Sequence, residues 1–161
     1  MIFKTKKHNS DLYTTFLFLS RNLNFYNKIN LKDTFETRIY LMFMHFSVIL
    51  IIYKNRKINF NQDLYDNFFF NIESNLRELG FGDVAVNSKM KNLNKVFYDI
   101  LLKFNIGKEK FKTNEKLVFK YFNELNNIKY KLFEQYFHNF YHFCFEKDHK
   151  IMIKEALDFK D

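Results

Sequence analysis

The sequence predicts an all-α fold, a single domain (residues 1–161) built as a bundle of five to seven helices. Apolar residues recur every three or four positions along nearly the whole chain, which is the spacing of one face of an α-helix. No stretch shows the period of two that marks a half-buried strand. The chain has no proline and only three glycines, so few residues interrupt a helix. Its 161 residues are enough to bury one core.

The first two helices are predicted from their caps and apolar faces. The first is predicted to begin after Ser10 and Asp11, and its buried face is predicted to contain Leu12, Phe16, Leu19 and Leu23. The second is predicted over about residues 34–53. Its stretch 39–53 is apolar on all sides, but these 15 residues fall short of the roughly 20 that span a bilayer. We therefore expect a central core helix rather than a membrane span.

Three further helical patterns follow. The third helix is predicted to begin near Asn59 or Asn61, and the fourth near Asn87 or Ser88, with Gly107 closing the fourth. The last pattern is too long for one typical helix. It begins near residues 113–114 and is predicted to break near residues 126–127, and its apolar stripe is Leu117, Tyr121, Leu125, Ile128, Leu132, Tyr136 and Phe140.

Positive charge is concentrated in the first third of the chain. The net charge is +8, and residues 1–57 contain ten Lys or Arg against three Asp or Glu. A second basic cluster runs from Lys108 to Lys112. Such a surface is typical of proteins that contact nucleic acid, a ribosome or anionic lipid, and equally of a solvated surface in a lysine-rich proteome. The lone Cys144 excludes an intrachain disulfide, and no secretory signal or transit peptide is recognisable.

Two of the three glycines, Gly80 and Gly82, lie in the stretch GFGDVA. This string satisfies the dinucleotide-binding pattern G-x-G-x-x-A, but that loop requires a preceding strand, and here a helical pattern precedes it. We instead predict a helix that ends at Leu79, with Gly80 in the left-handed conformation. Phe81 would then pack back against Leu76, as a Schellman ending requires.

A new helix is predicted to start after this turn, and Asp83 is expected to accept backbone N–H bonds there. We call residues 76–83 the elbow. The residues predicted to fix its shape are Leu76, Gly80, Phe81 and Gly82. A helix end alone does not explain the charged side chains of Arg77, Glu78 and Asp83, of which we expect Arg77 and Glu78 to be exposed.

The residues around the elbow resemble the signature block of the ubiquinol–cytochrome c chaperone family. The matching positions there are Asn75, Leu76, Arg77, Glu78, Gly80, Gly82, Asp83, Val86, Phe97 and Tyr98. Upstream, the positions that resemble a second family stretch are Phe25, Tyr26, Asp33, Thr34, Arg38 and His45. Lys32, Thr37 and Asn87 stand where the family has Pro, Gly and Pro. The resemblance covers about residues 11–104 and leaves the aromatic C-terminal part, 105–161, unmatched.

The resemblance implies an assembly chaperone for the cytochrome bc1 complex (ubiquinol–cytochrome c reductase) that binds nascent or newly inserted cytochrome b. It implies no enzyme activity and no cofactor, and neither catalytic residues nor specific DNA contacts are evident. Mitochondrial members act near the ribosomal exit with a small partner chaperone. The implied location is cytoplasmic and peripheral to the inner membrane in an alphaproteobacterium, or the mitochondrial matrix in a eukaryote.

The predicted partner-binding residues are Asp33, Arg38, Asn75, Arg77, Glu78 and Asp83. Asp33 and Arg38 are also expected to lock a loop to a helix. The alternative function is a basic RNA- or ribosome-binding helical module, for which salt-sensitive binding to RNA would be diagnostic.

Histidine and cysteine are the residue types in this chain that could act as metal ligands or as catalytic nucleophiles. His138 and His142 share a helix face at a spacing that can hold zinc or haem iron, but no H-E-x-x-H motif is present. Helix-face histidines without a metal are therefore expected. His45 is expected to be buried and bonded to a polar neighbour such as Asp33 or the partner of Arg38. Cys144 lacks a positioned base for nucleophilic catalysis.

Overall fold

The computed structural model describes residues 12–161, and the predicted all-α fold is confirmed over this range. One isolated antiparallel β-bridge joins Asn105 and Thr113. The predicted caps Ser10 and Asp11 lie outside the described residues. In chain order the helices are α1 (residues 12–20), α2 (Leu23–Asn27), α3 (Phe35–Asn55), α4 (Gln62–Glu78), α5 (Asp83–Lys103), α6 (Glu115–Tyr121), α7 (Asn127–Phe145) and α8 (Met152–Glu155), followed by a 3-10 turn at Ala156–Asp158.

Helix α3 lies at the centre of the bundle and packs against α5 and α7. By length and composition alone, this 21-residue helix is the candidate for a membrane span among the described residues. However, 67% of its most apolar window is buried inside the bundle. Its buried side chains contact neighbours on several sides, including Phe43 against α5 and His45 against α7. The predicted burial of this helix is confirmed.

Short polar side chains cap the N-termini of four of the helices. Thr34, Asn61, Asn114 and Asn126 each accept a hydrogen bond from the backbone N–H three residues later, at 2.8–3.3 Å. These bonds satisfy one of the free N–H groups at each helix start. The predicted break near residues 126–127 is confirmed, because Asn126 caps α7.

Helix α5 begins earlier than predicted. Its first residue is Asp83 rather than Asn87 or Ser88, and Gly82 is its N-cap without a side-chain cap bond. The prediction was wrong because it required a polar capping side chain, which glycine lacks. The turn between α4 and α5 is consequently only four residues long, from Leu79 to Gly82.

Several aliphatic residues predicted to be buried are exposed. Leu23 starts the separate short helix α2, and Ile128 and Leu132 face solvent on α7. A repeat of four residues drifts around a helix of 3.6 residues per turn, so the predicted stripe left the core side of α7. The buried face of α7 is instead aromatic, and its members are Tyr130, Phe133, Tyr136, Phe137 and Phe140, together with Cys144.

The C-terminal part of the chain completes the core around α3. Arg56, just beyond the end of α3, donates to the backbone carbonyl of Lys147 at 2.7 Å and to that of Phe145. Phe145 is the last residue of α7 and its carbonyl is one of those that a helix end leaves free, so Arg56 caps that helix from outside, while Lys147 lies in the turn that follows. The hydroxyl of Tyr53 donates to the carbonyl of His149 at 2.9 Å. Buried apolar residues form one cluster that runs from α1 to Phe159.

Candidate partner-binding site

The elbow between α4 and α5 has the Schellman geometry that its sequence predicts. Helix α4 has Leu79 as its C-cap, and Gly80 adopts a positive φ of 97°. The N–H of Phe81 donates to the carbonyl of Leu76 at 3.3 Å, and the N–H of Gly80 donates to that of Arg77 at 3.0 Å. This pair of bonds satisfies carbonyls at the end of α4 and turns the chain sharply.

The two glycines of the elbow differ in what the backbone requires. Gly80 lies in the left-handed region, where a side chain is disfavoured. Gly82 has a φ of −74° and a ψ of 169°, which any residue adopts, and a Cβ there would meet no atom within 4 Å. The local conformation therefore accounts for Gly80 but not for Gly82.

An ion pair crosses the elbow. The Arg77 guanidinium donates to the carboxylate of Asp83, and its other terminal nitrogen lies 3.2 Å from Glu73 one turn earlier on α4. The hydrogen bonds that Arg77 donates to the carboxylates of Asp83 and, second, Glu73 raise the pKa of Arg77. The expectation that Asp83 accepts backbone N–H bonds is wrong, since its carboxylate faces Arg77 instead.

Glu78 differs from its two charged neighbours because, among residues 12–161, no basic group lies within ion-pair distance of it. All three side chains are exposed, as predicted for Arg77 and Glu78. Arg77 and Asp83 are thus exposed to solvent and also form the ion pair that crosses the elbow. Glu78 is exposed and forms no ion pair within the described residues.

The elbow also presents apolar side chains to solvent. Leu79 is 58% exposed, Phe81 is 39% exposed and Val84 is 85% exposed. The Lys89 ammonium lies 4.6 Å from the centroid of the Phe81 ring, on the α5 side. Leu79 is the C-cap of α4, and because the chain turns at this residue its side chain lies outside the core.

A cleft of about 390 Å³ lies directly beside the elbow. Its walls come from α1, from the loop before α3, from the first turns of α3 and from the end of α4. Three of the predicted partner-binding residues, Asp33, Arg38 and Asn75, line it together. Asp33 and Asn75 are more than 40 residues apart in the sequence, so it is the fold that places them on the same cleft. The remaining lining residues are Tyr13, Leu17, Arg21, Thr34, Phe35, Ile39, Met42 and Leu79.

Asp33 and Arg38 form the predicted loop-to-helix lock. The Arg38 Nε donates to Asp33 Oδ1 at 2.8 Å, and Nη2 donates to Oδ2 at 3.0 Å. This two-pronged geometry is the specific way in which guanidinium binds carboxylate. Both side chains remain partly exposed, so their outer edges are accessible to a partner.

Arg21 is a charged residue of the cleft that was not among the predicted partner-binding residues. It lies at the end of α1 on the wall of the cleft, and among the described residues no carboxylate is within ion-pair distance of it. Its positive charge lowers the pKa of Tyr13, although burial is the larger effect and the net shift is upward. The excess of Lys and Arg in the first third of the chain is the sequence signal that points to it.

His45 is fully buried, as predicted, but its partner is not Asp33. Its Nδ1–H donates to the carbonyl of Leu41 at 2.6 Å, and Nε2 accepts from the hydroxyl of Tyr136 at 2.7 Å. Asp33 is instead exposed and bonded to Arg38. Burial lowers the pKa of His45 to about 3, so the ring is neutral and serves as a core hydrogen-bonding residue.

The other histidines and the cysteine do not converge. The rings of His138 and His142 are neighbours at 4.4 Å between centroids, whereas His149 packs near Tyr53. Within residues 12–161, no group of three His, Cys, Asp or Glu side chains is placed to hold a metal ion. Burial raises the pKa of the Cys144 thiol to about 12, which keeps it protonated and poorly nucleophilic.

Comparison with known protein families gives one match. Residues 27–118 match the family model described as Ubiquinol-cytochrome C chaperone, which is more than half of the 161-residue chain. The matched region contains the whole elbow and the cleft residues Asp33, Arg38 and Asn75, and it continues past residue 104 into α6. No curated protein and no solved structure matches the chain significantly.

Proposed function

The chain belongs to the ubiquinol–cytochrome c chaperone family, and from this premise we propose that it binds newly made cytochrome b during assembly of the cytochrome bc1 complex. Membership supports a role in assembly of this complex and favours a binding protein over an enzyme. The elbow and the adjacent cleft are the proposed client-binding surface. The observation that carries the proposal is that Asp33, Arg38 and Asn75 line one cleft next to the exposed elbow.

The composition of this surface suits a segment of a membrane protein. Cytochrome b is a membrane protein, and the loops of membrane proteins on the side of synthesis are rich in Lys and Arg. The exposed carboxylates of Glu78 and Asp83 are complementary to such a loop. The exposed apolar side chains of Leu79, Phe81 and Val84 are suited to the apolar end of a helix next to it.

The proposed location follows from the client. The protein would act in the cytoplasm at the inner membrane of a bacterium, or in the matrix of a mitochondrion. A ribosome and a small partner chaperone are further proposed partners, because a newly made client is met close to its site of synthesis.

The test is capture of cytochrome b from solubilised membranes of the source cell by the tagged protein. We expect the double variant Arg77→Gln, Asp83→Asn to lose capture and to melt at the temperature of the unsubstituted protein. Both side chains are exposed, so the fold should not depend on them. The matched control is Asp66→Asn, Lys95→Gln, which removes the same two charge types from exposed positions elsewhere on α4 and α5.

Two results would count against the site. If the double variant unfolds, the ion pair is a structural element and not a contact with the client. If it captures cytochrome b as well as the control does, the client binds elsewhere. Salt-sensitive binding to ribosomes or RNA with no capture of cytochrome b would favour the alternative function, a basic RNA- or ribosome-binding module.

A further inference from the structure

A second exposed surface lies away from the elbow, on the loop between α5 and α6. We call residues 104–114 the basic hairpin. Its two arms are joined by the bridge between Asn105 and Thr113. The N–H of Ile106 donates to the carbonyl of Lys112 at 2.9 Å, and the N–H of Asn114 donates to that of Phe104 at 2.8 Å. The loop is therefore a closed hairpin with a fixed base.

The backbone on either side of the hairpin's tip is also fixed. The side-chain oxygen of Asn105 accepts from the N–H of Gly107 at 2.9 Å and from the N–H of Lys112 at 3.0 Å. A Cβ on Gly107 would lie 1.6 Å from the carbonyl oxygen of Lys110, so the two arms approach as closely as a glycine allows. The side chains of this turn are consequently presented from a defined backbone.

The basic hairpin exposes positively charged and aliphatic side chains to solvent. Lys108, Lys110 and Lys112 are all exposed. Residues 101–116 contain five lysines and two glutamates, so the local charge is clearly positive. Two exposed aliphatic residues belong to the same segment of the chain: Ile106 is 53% exposed, and Leu102, two residues before the hairpin in the last turn of α5, is 77% exposed.

Exposed lysines can bind either nucleic acid or an anionic lipid bilayer, and the apolar residues beside them decide between the two. Single-stranded nucleic acid is held by exposed aromatic rings on which bases stack. The two aromatic residues of the hairpin, Phe104 and Phe111, are only 0% and 4% exposed, and the Phe111 ring stacks on Tyr141 with 4.8 Å between centroids. Exposed aliphatic side chains flanked by lysines are instead suited to a bilayer surface, where the former enter the acyl boundary and the latter contact anionic headgroups.

We propose that the basic hairpin, with Leu102 beside it, docks the protein on an anionic lipid bilayer. The lysines at its tip contact the headgroups, and Ile106 and Leu102 insert at the edge of the acyl region. This surface is separate from the proposed client site. Docking here leaves the elbow and its cleft available to another protein.

The test is flotation with vesicles of equimolar phosphatidylcholine and phosphatidylglycerol, compared with vesicles of phosphatidylcholine alone. We expect binding to the anionic vesicles that weakens as salt is raised. The triple variant Lys108→Glu, Lys110→Glu, Lys112→Glu should bind them about a hundredfold more weakly, because each lysine near the surface contributes several-fold in affinity. All three side chains are exposed, so the melting temperature should not change.

The control carries the same change in net charge on lysines outside the basic hairpin, as Lys54→Glu, Lys91→Glu, Lys95→Glu. We expect it to retain vesicle binding to within about fivefold. Equal losses in the two triple variants would mean that overall charge, and not the hairpin, holds the vesicle. Retention of binding by the hairpin variant would also overturn the proposal.

A second variant separates lipid from RNA. Leu102→Ser, Ile106→Ser removes the aliphatic groups and keeps every lysine, so we expect about tenfold weaker vesicle binding. If this variant binds vesicles normally while the lysine variant loses binding to a single-stranded RNA, the surface is a nucleic-acid site. Capture of cytochrome b is measured in parallel. Its loss or retention reports on the elbow and does not alter the outcome of the vesicle test.

Discussion

The elbow and the basic hairpin are both turns built on a glycine, but the glycine serves a different purpose in each. At the elbow, Gly80 has a φ of 97°, and a Cβ there would meet nothing within 4 Å. At the hairpin, a Cβ on Gly107 would lie 1.6 Å from the Lys110 carbonyl oxygen. One turn needs glycine for its backbone angle, and the other needs it for space.

The two turns also differ in the number of bonds that close them and in the side chains that they expose. The elbow is held by two backbone bonds and an exposed ion pair, and apolar side chains project from it. The basic hairpin is closed by backbone bonds and by two bonds to Asn105, and both of its aromatic residues are buried. The elbow therefore offers apolar contacts to a protein partner, whereas the basic hairpin presents positive charge from a backbone that hydrogen bonds hold in place.

The largest expected effect is that of Gly107→Ala. The Cβ would overlap the backbone of the opposite arm, so the hairpin must open or its base must shift. We expect a loss of about 2–4 kcal/mol in the free energy of unfolding. Urea unfolding followed by circular dichroism measures it. A loss below about 1 kcal/mol would show that the close approach of the arms is not required.

A smaller effect is expected from Gly80→Ala, and Gly82→Ala serves as its matched control. Alanine at Gly80 must adopt the left-handed conformation, which costs about 1–2 kcal/mol. At Gly82 the backbone is extended and space is open, so the change should stay within about 0.5 kcal/mol. The same urea unfolding measurement compares them. Equal losses would mean that Gly80 is not needed for its backbone angle.

The smallest effect on stability is expected from breaking the Arg77–Asp83 ion pair. Both side chains are exposed, so water and salt screen their attraction. Arg77→Gln and Asp83→Asn, alone and together, should leave the melting temperature unchanged in high salt and nearly unchanged in low salt. A large drop in low salt that disappears in high salt would show that the elbow depends on this pair for its shape.

The sequence predicted local structure well where a side chain or a backbone angle carries the information. Thr34, Asn61 and Asn126 are recognisable caps, and each caps a helix in the structure. The Schellman ending at Gly80 was likewise predictable, because a glycine follows a strongly helical run. The start of α5 was not, since Gly82 caps it without a side-chain bond.

Contacts between distant parts of the chain could not be predicted from one sequence. The partner of His45 is Tyr136, 91 residues away, and nothing local to either residue indicates the pairing. The same holds for the cleft, in which Arg21, directly after α1, joins Asn75 from α4. The family resemblance indicated individual residues of the site, but only the packing of α1, α3 and α4 shows which of them share one space.

The central claim is that the elbow and the basic hairpin are two independent binding surfaces. The most direct measurement assays both variants, Arg77→Gln with Asp83→Asn and the hairpin triple lysine-to-glutamate variant, for capture of cytochrome b and for flotation with anionic vesicles. We expect the elbow variant to lose only capture of cytochrome b and the hairpin variant to lose only vesicle binding. Loss of both activities in either variant would contradict the claim.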